Sequence, residues 1–271
     1  MKQRTIKSKL EFEGVGIHSG ERTKIVLHPE EENSGIEFYH KGVRVPVSPD
    51  NVVNTFHSTD LGKDGVVVRT VEHLLATLHL LGVSNLTVEV VGGSELPIMD
   101  GSGYEFYREL KGNVVKQSAD VEVFHVPEEI KVSRGDSYLI ALPCSCFQIT
   151  YEGVFDSYFG KQRFTFKGNV RDIILARTFC FEHEIELIKK HGLGKGGSLE
   201  NTLVIGKEGI YNEGGMRYQD EPVRHKVFDL VGDLYLLGAS VRGKFISHKG
   251  GHTLNYELVK ELHKRMGVEV G

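Results

Sequence analysis

Two leucine-rich stretches, far apart in the chain, finish alike. Residues 72–84 read EHLLATLHLLGVS, and residues 224–240 read RHKVFDLVGDLYLLGAS. Each opens on a charged residue followed by a histidine. Each closes on Leu-Leu-Gly-(Val/Ala)-Ser ahead of a strand-like run. The second is four residues longer, about one helical turn. Two unrelated leucine-rich helices can share an ending by chance. The matched histidine and the matched exit into a strand favour duplication. The fold class expected is α+β: two related halves, each a layered unit with helices packed on an antiparallel sheet.

The rest of the chain follows that plan. Residues 4–48 alternate as strands do (TKIVLHP, GIEFYH, VRVPVSP), with Gly, Asn and Pro between the runs. The pattern predicts a helix over 70–81, a strand over 85–92, a turn at DGSG (100–103) and a short helix at YEFYRELKG. The polar NVVKQSAD, residues 113–120, reads as a linker, which divides the chain into domains 1–118 and 119–271. Strands then resume (VEVFHVPEEIKVS, SYLIALP, FQITYEG, QRFTFKG). A helix around 182–191, the glycine-rich GLGKGG, the strand TLVIG, the second leucine-rich helix, the strand GKFISHKGG and a last helix at about 254–266 complete it.

At 271 residues, one large or two ordinary domains are expected. A composition of 39% hydrophobic and 26% charged residues is that of a folded chain, not a disordered one. The net charge of −4 and the lack of a basic stripe argue against nucleic acid as a partner. The N-terminus, MKQRTIKSKLEFEG, has no apolar core of a secretory signal. No run nears the roughly 20 apolar residues of a membrane span. Cys144, Cys146 and Cys180 are odd in number and contain no CxxC pair, so buried thiols in a reducing cytoplasm are expected. A monomer is expected.

The second helix carries an unusual polar strip. With His225 at zero and about 100° per residue, Asp229 falls near 40°, Asp233 near 80° and Lys226 near 100°. Gly232 lies at the edge of the same face. Valines, leucines, Phe228 and Tyr235 fill most of the remaining circumference, so the helix is expected to be buried and its strip sheltered. Sheltered charges are costly unless paired or bound to a cation. His225 and Asp229 stand four apart, a spacing at which both can bind one metal ion. A simple His–Asp hydrogen bond fits the same spacing, and this stretch alone does not separate the two.

A catalytic metal centre also needs a third ligand, an open position and a base. TVEH supplies candidates for ligand and base. His73 is the ligand candidate. Glu72, rotated by about 100°, can face a water without ligating the ion. A surface glutamate beside a core histidine is the plainer alternative. The repeated histidine counts against it. His73, His225 and Asp229 together suit zinc, and iron(II) accepts the same donor types.

These residues stand within a longer set of motifs. TVEH, LPIMDGSG, LARTFCF, GLGKGGSLEN, RHKVFDLVGDL and GGHTLN, with the earlier GVGIHSG and HSTDLG, run in order from about residue 5 to about residue 260. Together the set resembles the UDP-3-O-acyl-N-acetylglucosamine deacetylases of lipid A biosynthesis. The resemblance implies two α+β domains with the active site between them. It also implies a βαβ insert at about 190–215 that shapes a hydrophobic passage for an acyl chain. The substrate implied is a UDP-linked acylated amino sugar, which loses its 2-N-acetyl group with one Zn2+ as cofactor.

The resemblance also implies roles. Glu72 is the general base, and His252 a protonated histidine that stabilises the oxyanion and helps the amine leave. Thr178 donates a hydroxyl to the oxyanion, Asp233 orients and charges His252, and Lys226 meets the sugar or diphosphate. Phe179, Phe181 and Glu184 match positions near the nucleotide and sugar. His18 and His57 are expected to line the site, and Asp100 to hold a turn. Without the resemblance, Thr178 reads as a strand threonine, His252 as a loop histidine and GLGKGGSLEN as a flexible loop, since it lacks the GxxxxGK[ST] of a phosphate loop. A zinc amidase for another N-acyl substrate and a non-catalytic metal-stabilised binding module are the alternatives. Glu72 and His252 argue against the second, because a structural zinc site is closed by a fourth ligand and needs no base. A fused acyl dehydratase is not expected, with 19 residues after His252.

Overall fold

The structure is a computed structural model describing residues 1–267, and at 156 and 157 only the backbone is described. In the first half the strands are β1 (Lys2–Ile6), β2 (Leu10–Val15), β3 (Arg22–Pro29), β4 (Ile36–His40), β5 (Val43–Pro46), β6 (Val52–Asn54), β7 (Asp60–Lys63) and β8 (Val66–Val68). Helix α1 (Glu72–Leu81), β9 (Leu86–Gly92), α2 (Tyr104–Leu110) and β10 (Val114–Asp120) follow. The second half holds β11 (Val123–His125), β12 (Ile130–Arg134), β13 (Ser137–Leu142), β14 (Phe147–Phe155), the single turn α3 (Asp156–Phe159), β15 (Gly160–Phe166) and β16 (Phe179–Phe181). It ends with α4 (Ile185–Lys190), β17 (Leu203–Ile205), α5 (Glu221–Leu234), β18 (Ser240–His248) and α6 (His252–Met266).

The fold is α+β, with helices on sheets in both halves. One five-strand order is β2-β3-β9-β4-β5 and the other is β12-β13-β18-β14-β15, with β11 added beside β18. In each, the central strand follows a leucine-rich helix. β9 runs antiparallel to β3 and parallel to β4. β18 runs antiparallel to β13 and parallel to β14. One connectivity thus serves both sheets, the arrangement a repeated unit would give. The shared Leu-Leu-Gly ending has a backbone reason. Gly82 and Gly238 both adopt left-handed conformations, φ 69° and 70°, which turn the chain out of each helix towards its strand.

Helices α1 and α5 pack on each other where the halves meet. Leu74, Leu75 and Leu78 of α1 and Val227, Phe228, Leu230, Val231 and Leu234 of α5 are buried in a common core. The crossing is close because of Gly232: a Cβ there would lie 2.2 Å from the Glu72 carbonyl oxygen. No residue but glycine fits without parting the helices.

Four expectations need correction. The 113–120 stretch is not a linker but β10, paired antiparallel with β1. The βαβ unit spans 179–205, not 190–215, because β16 and β17 pair in parallel around α4. His252 is not on a loop but begins α6, capped by Gly251. Cys144 and Cys146 are not buried thiols. They are joined in a disulfide at the turn between β13 and β14, where their Cα atoms lie 5.2 Å apart, within bridging range. Cys180 is a free thiol and only partly buried. Among the described residues, no helix is long and apolar enough to cross a membrane.

Candidate active site

The N-terminal end of α1, the polar strip of α5 and the first turn of α6 converge on one cavity of about 840 Å³. His73, His225 and Asp229 meet there, with ligand atoms all within 4.8 Å of one another. Asp229 Oδ1 lies 3.4 Å from His73 Nε2 and 3.3 Å from His225 Nε2. It is nevertheless buried without a hydrogen-bond partner. The reason is visible at His225. Its Nδ1 lies 3.0 Å from the Ala176 carbonyl, which can only accept, so the proton sits on Nδ1 and Nε2 presents a lone pair.

Two imidazole nitrogens and a carboxylate oxygen facing one point are the donor set of a divalent cation. Burial keeps His73 below its ordinary pKa, which favours the neutral form a ligand needs.

Glu72 and His252 stand beside this set. Glu72 Oε1 is 3.5 Å from His252 Nε2. Burial pushes the Glu72 carboxyl up to about 8; His252 opposes the rise, while Asp229 and Asp233 add to it. Burial alone would discharge His252. Instead Asp233, Glu72 and Asp229 overturn that effect and raise it to about 10. Its Nδ1 lies 2.7 Å from Asp233 Oδ2, and Asp233 is 1% exposed. Burial thus makes one group a weaker acid, while neighbouring carboxylates keep the other charged.

Thr178, Lys226, Phe179, Phe181, Glu184, His18 and His57 all line the same cavity. Thr178 is fixed by backbone bonds to Gly101 and Leu203. The Lys226 ammonium lies 6.0 Å from the Phe179 ring centre, over its face. Glu184 accepts from the Phe181 amide at 3.2 Å. His18 is held by its backbone N–H to Glu95 (3.0 Å), and its Nε2 lies 3.3 Å from the His57 carbonyl. Burial lowers the pKa of both histidines. Asp100 sits in the turn, accepting from the Ser102 amide and from Arg217.

The glycine-rich loop 192–197 is a docking element: Gly196 donates to the Ile17 carbonyl, and a Cβ on it would lie 2.2 Å from the Gly16 carbonyl oxygen. Beyond the polar floor, Ile185 and Ile188 of α4 with Leu199 and Val204 give the cavity an apolar limb.

Sequence reasoning misses Thr59, Asn255 and the close crossing at Gly232. Thr59 contacts Glu72, Asp233 and His252, and Asn255 donates to Asp233 at 2.9 Å. Thr59 lies within HSTDLG and Asn255 within GGHTLN, but single polar residues in a motif announce no partner.

The class of site is that of a hydrolytic centre: a cation-competent triad beside a buried glutamate and a charged histidine, opening on a cleft with one polar and one apolar limb. Comparison with known proteins narrows the class. The family model described as UDP-3-O-acyl N-acetylglycosamine deacetylase matches residues 3–264. The UDP-3-O-acyl-N-acetylglucosamine deacetylase of Aquifex aeolicus is 55% identical over 264 residues, covering 97% of this chain and 93% of its own length. The enzymes of the same name from Thermodesulfovibrio yellowstonii (39%, covering 96% and 91%) and Nautilia profundicola (38%, covering 100% and 94%) are similar throughout. The chain belongs to the UDP-3-O-acyl N-acetylglycosamine deacetylase family.

Proposed function

We propose that this chain hydrolyses the 2-acetamido group of UDP-3-O-acyl-N-acetylglucosamine, releasing acetate and a free amine, as a zinc-dependent enzyme of lipid A biosynthesis acting in the cytoplasm. The observation that carries the metal is the buried, partnerless Oδ1 of Asp229 between two imidazole nitrogens. Family membership carries the substrate.

His73, His225 and Asp229 would hold the ion. Zinc bound there would supply Lewis-acid polarisation of the amide carbonyl and would acidify water towards a pKa of about 7. Glu72 takes the proton of the attacking water, and the burial that raises its pKa makes its carboxylate a stronger base. The Thr178 hydroxyl donates to the oxyanion of the tetrahedral intermediate. His252, charged by Asp233, stabilises the same oxyanion and gives its proton to the departing amine.

Lys226 faces the sugar and diphosphate, where a point charge suits a phosphate. Phe179, Phe181 and Glu184 flank the sugar and nucleotide, while His18 and His57 wall the entrance. The apolar limb made by α4, Leu199 and Val204 takes the 3-O-acyl chain, and the domain boundary falls near 118.

The test is a deacetylation assay on the UDP-linked acyl sugar with purified protein, before and after chelation and after zinc is restored. Turnover is expected to vanish and return. No acetate release from metal-loaded protein would overturn the reading.

A further inference from the structure

Glu72 belongs to the first half of the chain and Asp233 and His252 to the second, yet base and acid must keep a fixed separation across the cleft. One residue touches all three. Thr59, just before β7 and only 1% exposed, donates its backbone N–H to Glu72 Oε2 at 3.0 Å. Its hydroxyl donates to Asp233 Oδ1 at 2.6 Å, and its Oγ1 lies 3.2 Å from His252 Nδ1.

The proton count permits one arrangement. The Thr59 hydroxyl proton goes to Asp233 Oδ1, and Asp233 Oδ2 accepts from Asn255, so the hydroxyl oxygen keeps a lone pair for the Nδ1–H of His252. That proton is then shared between Asp233 Oδ2, at 2.7 Å, and Thr59 Oγ1. Two acceptors on one N–H fix the plane of the ring as well as its tautomer, and so aim Nε2 at the cavity near Glu72. Thr59 is itself anchored: its carbonyl accepts from Val71 at 3.0 Å, on the residue before Glu72. Ser58 and Thr70, on either side of this contact, both donate to Asp60 Oδ1.

We propose that Thr59 is a positioning residue that ties Glu72 of the first half to His252 and Asp233 of the second, through its amide and its hydroxyl respectively. The inference rests on the deacetylase reading above. It predicts that Thr59 contributes to turnover without touching substrate or metal.

The test compares Thr59→Val, which keeps shape and amide but removes the hydroxyl, with Thr59→Ser, which keeps both polar groups. The valine variant is expected to lose about 10- to 100-fold in kcat, the scale of lost support around a site, with KM and bound zinc unchanged. The serine variant should remain within about threefold of the parent. Parental kcat in Thr59→Val, or an equal loss in Thr59→Ser, would overturn the proposal while the active parent leaves the deacetylase reading intact. An inactive parent would instead remove that reading and this inference with it. Should Thr59→Val not fold, Thr59→Ala, with room for a water in place of the hydroxyl, takes its place and should lose turnover in the same range. Failure of both to fold beside a healthy serine variant would make the hydroxyl a stabilising group and equally overturn the proposal.

Discussion

His73 and His79 stand on one helix, nearly two turns apart, and both reach the same partner helix, α5. They are treated in opposite ways. At the rear, His79 Nδ1 donates to the Val231 carbonyl at 2.8 Å. Its ring stacks on Tyr235 with centres 4.4 Å apart and planes 8° off parallel. Burial pushes its pKa down to about 4, so it is a neutral clamp between helices. At the front, His73 and His225 converge on a carboxylate oxygen that no hydrogen bond satisfies. Residue type and helix are shared. What separates site from scaffold is whether the pairing is complete within the protein.

Substitutions at the front, middle and rear of the helix pair test this difference. The largest effect is expected at Glu72, between the triad and His252. Glu72→Gln, nearly isosteric, should lower kcat by about 10²- to 10⁴-fold, read by acetate release under saturating substrate. A variant with parental turnover would take Glu72 out of the chemistry and leave the front of the helix no more than a polar counterpart of its rear.

Gly232 lies between the two ends. Alanine in an open helix is worth about 1 kcal/mol over glycine, yet here its Cβ would meet the Glu72 carbonyl oxygen at 2.2 Å. Gly232→Ala should therefore destabilise by about 1–3 kcal/mol, and the displaced Glu72 should lower kcat by about tenfold or more. Urea unfolding and turnover measured together check this. A stabilised, active variant would show that the close crossing is not needed.

The smallest effect is expected at His79 and concerns acid stability. Its folded pKa of about 4 lies below the ordinary 6.5, so below pH 6.5 the unfolded chain binds a proton that the folded one refuses. The stability this group contributes is whole above pH 6.5 and is lost as pH falls towards 4. His79→Leu should be less stable at pH 7.5 by about 1 kcal/mol, one hydrogen bond, yet should lose less than the parent on going to pH 5. Equal losses in the two proteins, by urea midpoints, would contradict this. Turnover at pH 7.5 should not change.

The parts of the site that follow a period are legible in the sequence. The strip on α5 is conspicuous because a helix apolar over so wide an arc isolates its polar residues. His73 stands out because the Leu-Leu-Gly endings align it with His225. The repeat also announces two similar sheets, and both helices do lead into the central strand of one. The limits of the insert are not legible, because β16 and β17 have three residues each, too few to show alternation. β10 reads as a linker because its burial never reaches that of a core strand and its register is set by β1, over a hundred residues away. Thr59 is invisible for a related reason. Its partners come from residues 13, 174 and 193 positions away, and only the folded chain brings them to one hydroxyl and one amide.

The central claim is that His73, His225 and Asp229 hold one divalent ion beside Glu72. Elemental analysis of protein purified with zinc, then dialysed, tests it most directly when run on the parent, Glu72→Gln and Asp229→Ala together. About one zinc per chain is expected in the first two and little in the third. A full zinc complement in Asp229→Ala, or none in the parent, would contradict it.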